Sequence, residues 1–114
     1  MPPITGPQVL TELAHHIGQA NGIHVRELVT RITGQAVSCG VLERRIRAVV
    51  TELRLEGAHI CGHPVTGYYM AETAAELQDT CAFLRARAMS SLVLESRMRR
   101  ISMPELLGQM YLKT

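Results

Sequence analysis

Apolar residues recur at three- and four-residue steps in four stretches of this chain, separated by glycine, proline or short polar runs. The first stretch holds Val9, Leu10, Leu13, Ala14 and Ile17. It follows Thr5 and Gln8, which are spaced as a capping box around Pro7, so a first helix is expected to run to a stop near Asn21 and Gly22. Ile23 then offers a minimal strand, and Val25, Leu28, Val29 and Ile32 predict a second helix ended by Gly34. Leu42, Ile46, Val49, Val50 and Leu53 share one face of a third helix over residues 38–56. Its expected cap is Ser38, Gly40 weakens its first turn, and Gly57 suits a left-handed stop. The helical period then gives way to two short strands, residues 58–61 and 67–70, around a turn. Tyr68 and Tyr69 point to opposite faces of the second strand, one toward the core and one toward solvent.

The fourth stretch is longer. Thr73 and Glu76 form a second capping box, and no Pro or Gly interrupts residues 74–102, so one helix of about 40 Å is expected at 1.5 Å per residue. Leu77, Cys81, Leu84 and Ala88 keep four-three-four spacing and Leu92 follows. Leu94, Met98 and Ile101 continue an apolar stripe displaced around the helix. A lone copy leaves much of that stripe wet, so pairing with a second copy is expected, with Leu77, Cys81, Leu84, Ala88, Leu92 and Met98 as the seam. Pro104 is expected to end the helix. Leu106, Leu107, Met110, Tyr111 and Leu112 form an apolar tail that either folds back or clasps a partner.

Composition narrows the picture. Aromatics make up 4% of the 114 residues and Trp is absent, so the core is built from Leu, Ile, Val, Ala and Met, which favours helices over a large sheet. The expected fold is mostly α with a small β-hairpin. The net charge of +2 neither requires nor excludes a polyanionic partner. Cys39, Cys61 and Cys81 form an odd set without a CxxC pair, which fits a reducing cytoplasm better than a disulfide framework. The start MPPITGPQVL has neither a basic segment nor a long apolar run, so no secretory signal is expected, and no stretch has the length of a membrane span.

The pattern R-x-I-R-x-x-V-x-x-L-R-x-x-G, carried by Arg44, Ile46, Arg47, Val50, Leu53, Arg54 and Gly57, resembles the recognition helix of the winged helix-turn-helix family. Residues 60–69, with Gly67, Tyr68 and Tyr69 closing the turn, resemble its wing. The resemblance covers roughly residues 8–71 and is nearest to small winged-helix proteins of bacteria and their phages. One departure is the connection from Ile32 to Ile46, longer than the family's tight turn. The resemblance implies a winged helix-turn-helix domain over residues 1–72, binding double-stranded DNA. Residues 73–114 form the long helix and apolar tail, the dimerisation element.

Individual residues allow a sharper and a plainer reading. Arg44, Arg45 and Arg47, with Thr51, lie off the apolar face of the third helix, where guanidinium groups can bind guanine bidentately or pair with phosphate. The plainer reading is a solvated face with a Glu43–Arg47 pair. Arg54, late in the helix, is expected to serve the helix dipole or a neighbouring acid instead of DNA. His63 and Thr66 at the wing turn can meet phosphate or the minor groove, or Gly62-His63-Pro64 is simply a turn. Arg26 and Arg31 on the second helix either touch the DNA backbone or are ordinary surface charges. Arg97, Arg99 and Arg100 form a second basic cluster that either meets DNA where a dimer places it there or is a charged helix end beside Pro104 that needs no ligand.

Metal and catalytic readings have less behind them. Cys61 and His63, with His15, His16, His24 and Cys39, lack the spacing of a zinc site. There is no nucleophile elbow, HExxH or glycine-rich phosphate loop, so neither an enzyme nor a cofactor is expected. Two functions remain. One is a homodimeric DNA-binding protein that regulates transcription or marks a replication origin. The other is a protein–protein adaptor that uses the same scaffold without touching DNA.

Overall fold

The computed structural model describes residues 4–99 together with Pro104, Leu107 and Gly108. The chain divides into two compact units, residues 1–80 and 81–114. The first holds α1 (Gly6–Leu13), α2 (Val25–Thr33), α3 (Gly40–Leu55), β1 (Ile60–His63), β2 (Gly67–Met70) and the first turns of α4 (Ala74–Arg99). The fold is thus mostly helical, with a two-stranded hairpin and a long C-terminal helix.

The capping box at α1 forms as its spacing predicts. The Thr5 N–H donates to Gln8 Oε1 at 2.9 Å, and Thr5 Oγ1 accepts the Gln8 N–H at 3.5 Å. The helix nevertheless stops at Leu13, well short of residue 21. The reason is competition from the hairpin. His16 O accepts the Met70 N–H at 2.8 Å, and the Gly18 N–H, at a φ of 88°, donates to Met70 O at 2.9 Å. Those groups therefore extend the sheet edge instead of the helix, and Ile17 is left 49% exposed. A short 3-10 turn, Gln19–Asn21, leads back to Ile23, which exchanges both backbone bonds with Tyr68 at 2.8 Å each. The minimal strand expected at Ile23 is this bridge.

α2 ends where expected, with Gly34 left-handed at φ 75° and its N–H donated to Thr30 O. The cap position of α3 is one residue later than predicted. Cys39 occupies it without a side-chain cap, and the Ser38 hydroxyl, the expected cap, donates instead to Glu43 Oε2 at 2.7 Å. Gly57, at φ 102°, follows α3 as expected. The first strand is shifted from the predicted 58–61 to Ile60–His63. The Ala58 N–H closes α3 by donating to Leu53 O at 2.9 Å, so pairing with β2 starts later. The register runs from Ile60 opposite Met70 to His63 opposite Gly67.

The core joins α1, α2, α3 and the hairpin through Ile4, Val9, Leu13, Ile23, Leu28, Val29, Ile46, Val49, Val50, Leu53 and Ile60. The third helix buries the face its periodicity marks; Leu42 is half-buried and the other four positions are buried. Tyr69 is buried as one of the pair was expected to be, but Tyr68 is half-buried and packs against the core instead of facing solvent, with Arg54 over its ring. Burial and a hydrogen bond to Thr80 surround the Tyr69 hydroxyl, and burial raises its pKa above the usual tyrosine value. Cys61 Sγ, on β1, donates to Glu76 O at 3.6 Å.

In the second unit, α4 leaves Cys81, Leu84, Ala88 and Met98 exposed, together with Phe83, Met89, Val93 and Leu94, while Leu92 is half-buried. Leu77 is half-buried and belongs to the first unit. Pro104, where the helix was expected to end, is itself helical, as are Leu107 and Gly108. Arg100, Ile101, Leu106, Met110, Tyr111 and Leu112, to which the sequence reading assigned roles, lie outside the described residues. Among the described residues no helix is long and apolar enough to cross a membrane.

Candidate nucleic-acid interface

The helical period of α3 separates two faces. Ile46, Val49, Val50 and Leu53 point into the core, and Val41, Arg44, Ala48, Thr51 and Leu55, at steps of three and four, form an exposed ridge opposite them. Arg47 stands beside that ridge. A surface laid against α3 from outside therefore meets Arg44, with Arg47 at its side and the small side chains of Ala48 and Thr51 following.

The arginines are not equivalent. Arg44 forms no ion pair among the described residues and is exposed. Arg47 is 3.9 Å from Glu43, a long contact that leaves its guanidinium 57% exposed. This is the intrahelical pair of the plainer reading, weak in water because both solvent and side-chain entropy oppose it. Arg45 turns to the flank of the helix, donating Nε to Ile4 O at 3.2 Å and lying 3.9 Å from Glu52. The structure thus takes Arg45 away from the ridge and uses it to hold the chain before α1. The Thr51 hydroxyl donates to Arg47 O at 3.1 Å, so only its lone pairs and methyl face outward.

Arg26, exposed in the first turn of α2, joins Arg47 at an open groove of about 690 Å³ that is also lined by His24, Val37, Ser38 and Glu43. The long connection between α2 and α3 forms one wall of this groove. Glu43, only 18% exposed, accepts the Ser38 hydroxyl and lies 3.9 Å from Arg47, and Glu27 lines the groove as well. Arg31 is not brought here. Its guanidinium donates to Glu27 Oε1 at 2.9 and 3.2 Å and lies 3.5 Å from Glu12, beside Pro7 and Thr11, and the bonds to Glu27 raise its pKa further. Its role is to tie α2 to α1.

The wing contributes less than its sequence offers. His63 is exposed, but its Nδ1 accepts the Val65 N–H at 3.1 Å, which makes the ring part of the turn itself. The Thr66 hydroxyl is turned inward and buried, without a partner among the described residues, so it faces no ligand. Gly22 packs on Thr66 so closely that a Cβ there would strike the Thr66 carbonyl. Arg54 pairs with no acid among the described residues, but it is the basic residue in the last turn of α3, where the helix dipole favours it. Its Nε donates to Ile60 O at 2.8 Å and its guanidinium lies 5.9 Å above the Tyr68 ring, bracing α3 against the hairpin.

Sequence reasoning missed three contributors. His24 Nε2 donates to Val65 O at 2.9 Å and so links the wing turn to the groove. Val37 and Val41 are exposed beside the arginines, and the signal for Val41 was available, since it falls outside the apolar phase of α3. Arg97 and Arg99 lie on the second unit, with Arg99 3.2 Å from Glu95. Among the described residues no three His, Cys, Asp or Glu side chains gather as a metal site. Compared with protein-family models, curated proteins and solved structures, the chain matches none.

Proposed function

We propose that this chain is a double-stranded DNA-binding protein of winged helix-turn-helix type that lays α3 in the major groove. The observation that carries the reading is the exposed ridge of α3, with Arg44 opposite an apolar face, Arg47 beside it and Arg26 at the adjoining groove. In this role Arg44 reads a base edge, Arg47 and Arg26 hold phosphates, and the exposed His63 edge of the wing lies along the backbone. Pairing of two copies through the apolar face of α4 sets the spacing of two half-sites. The protein acts in the cytoplasm of a bacterium, on its own genome or that of a phage, in transcription control or at a replication origin.

A second reading is favoured by a different observation. Phe83, Leu84, Leu94 and Met98 are exposed on α4, as an adaptor that binds another protein through this helix requires. Selection from a random-sequence duplex pool at two salt concentrations, with the protein's mass in solution recorded, separates the two. DNA recognition by a dimer enriches an inverted repeat, with affinity falling steeply as salt rises; an adaptor enriches nothing and binds DNA at neither salt.

A further inference from the structure

Two valines stand where the fold makes no use of them. Val37, in the connection before α3, is 76% exposed, and Val41, in the first turn of α3, is 73% exposed. Single exposed apolar side chains are ordinary, but each of these two lies near cations. Arg44 follows Val41 by one helical turn, and Arg26 and Arg47 line the same groove as Val37. Of the nearby acids, Glu27 is paired with Arg31 and Glu43 lies 3.9 Å from Arg47, so Arg26 and Arg44 carry the excess positive charge of this surface. A partner for this patch therefore presents negative charge immediately beside small apolar groups.

The major groove of DNA has that composition. Phosphates border it, and the C5-methyl group of thymine is its one apolar landmark, read by small aliphatic side chains. Valine suits the task, since its branched side chain is stiff and brings no polar atom to be desolvated. The first turn of a recognition helix is also where side chains reach base edges. Resting on the DNA-binding reading above, we infer that Val41, one helical turn before Arg44, contacts the C5-methyl of a thymine neighbouring the guanine read by Arg44. The recognised duplex then carries a thymine next to a guanine, and an RNA helix, with its narrow major groove, is rejected.

The test uses a random-sequence duplex pool amplified with either dTTP or dUTP, followed by the enriched duplex resynthesised with uracil at each thymine in turn. The full chain is compared with Val41→Ala and Val37→Ala, both checked by thermal melting. Loss of one buried methyl lowers affinity about fourfold, so uracil at one thymine beside a guanine weakens the parent by that factor. Val41→Ala binds the thymine and uracil duplexes alike. A parent indifferent to uracil at every position, or a Val41→Ala protein that keeps the difference, overturns the methyl contact while leaving DNA binding intact. Failure of the parent to bind either pool at low salt overturns the DNA reading and the methyl contact with it.

Discussion

The carboxylate of Glu76, in the first turn of α4, accepts the backbone N–H of Gln19 at 2.9 Å across 57 positions of sequence. Its other oxygen accepts the Glu72 N–H, also at 2.9 Å, while the Glu76 N–H donates to Thr73 Oγ1 at 3.2 Å. The Thr73 hydroxyl thereby caps α4, while the Glu76 carboxylate fastens the chain entering that helix to the 3-10 turn that leads to α2.

These bonds, that of Gln19 foremost, hold the Glu76 carboxyl below its usual pKa. A depressed folded-state pKa means that folding favours the charged form. Its stabilisation is whole above the ordinary carboxylate value of roughly 4.3 and is lost as pH falls through the lower folded value. The melting-temperature deficit of Glu76→Gln relative to the parent should therefore shrink on going from about pH 6 to about pH 3. Parallel melting curves across that range would remove the charge from the account.

Arg44→Ala combined with Arg47→Ala should reduce affinity for the selected duplex by about 1–3 kcal/mol, the usual contribution of a base-reading arginine, and flatten the salt dependence. Both side chains are exposed, so the melting temperature should stay near that of the parent. Equal affinity in a folded variant rejects α3 as the recognition helix.

Arg45→Ala should behave in the opposite way. Its bond to Ile4 O predicts a stability loss of about 0.5–1.5 kcal/mol in a denaturant titration. DNA affinity measured where the variant is folded should be unchanged, because the guanidinium is turned from the ridge. A loss of affinity as large as that of Arg44→Ala returns Arg45 to the interface.

Gly67, at φ 85°, opens β2, and a Cβ there would strike the Ile23 carbonyl. Gly67→Ala should destabilise the first unit by about 1–3 kcal/mol from backbone strain alone, more where the bridge to Ile23 is pushed apart. Gly34→Ala is the control, with a similar φ of 75° and nothing within 4 Å of the added carbon. Equal losses in thermal unfolding would mean that the contact with Ile23 is immaterial.

Leu84→Asp addresses self-association. Leu84 is 42% exposed on α4, so the charge should leave the core of the first unit folded while shifting sedimentation from dimer to monomer. A sedimentation profile identical to that of the parent moves the seam off this face.

The four helices, the buried face of α3 and the hairpin were legible in the sequence because each rests on local chemistry. Examples are the Thr5–Gln8 box, the left-handed Gly34 and Gly57, and the phase of Ile46, Val49, Val50 and Leu53. The arginines on α3 were equally legible as lying off that face.

Which of those arginines faces outward was decided only by the tertiary structure. Arg45 differs from Arg44 by one position and a turn of roughly 100°, yet that rotation brings it within reach of a carbonyl 41 residues away. Arg31 was captured by two acids, Thr66 was turned inward beneath Gly22, and α1 was cut short when His16 and Gly18 gave their backbone groups to Met70. The sequence by itself determined the elements and the side of α3 that is buried, because periodicity and capping act over a few residues. The fates of long polar side chains and free backbone groups needed the assembled fold, since their partners are distant in the chain and a hydrogen bond forms only where geometry brings the two together.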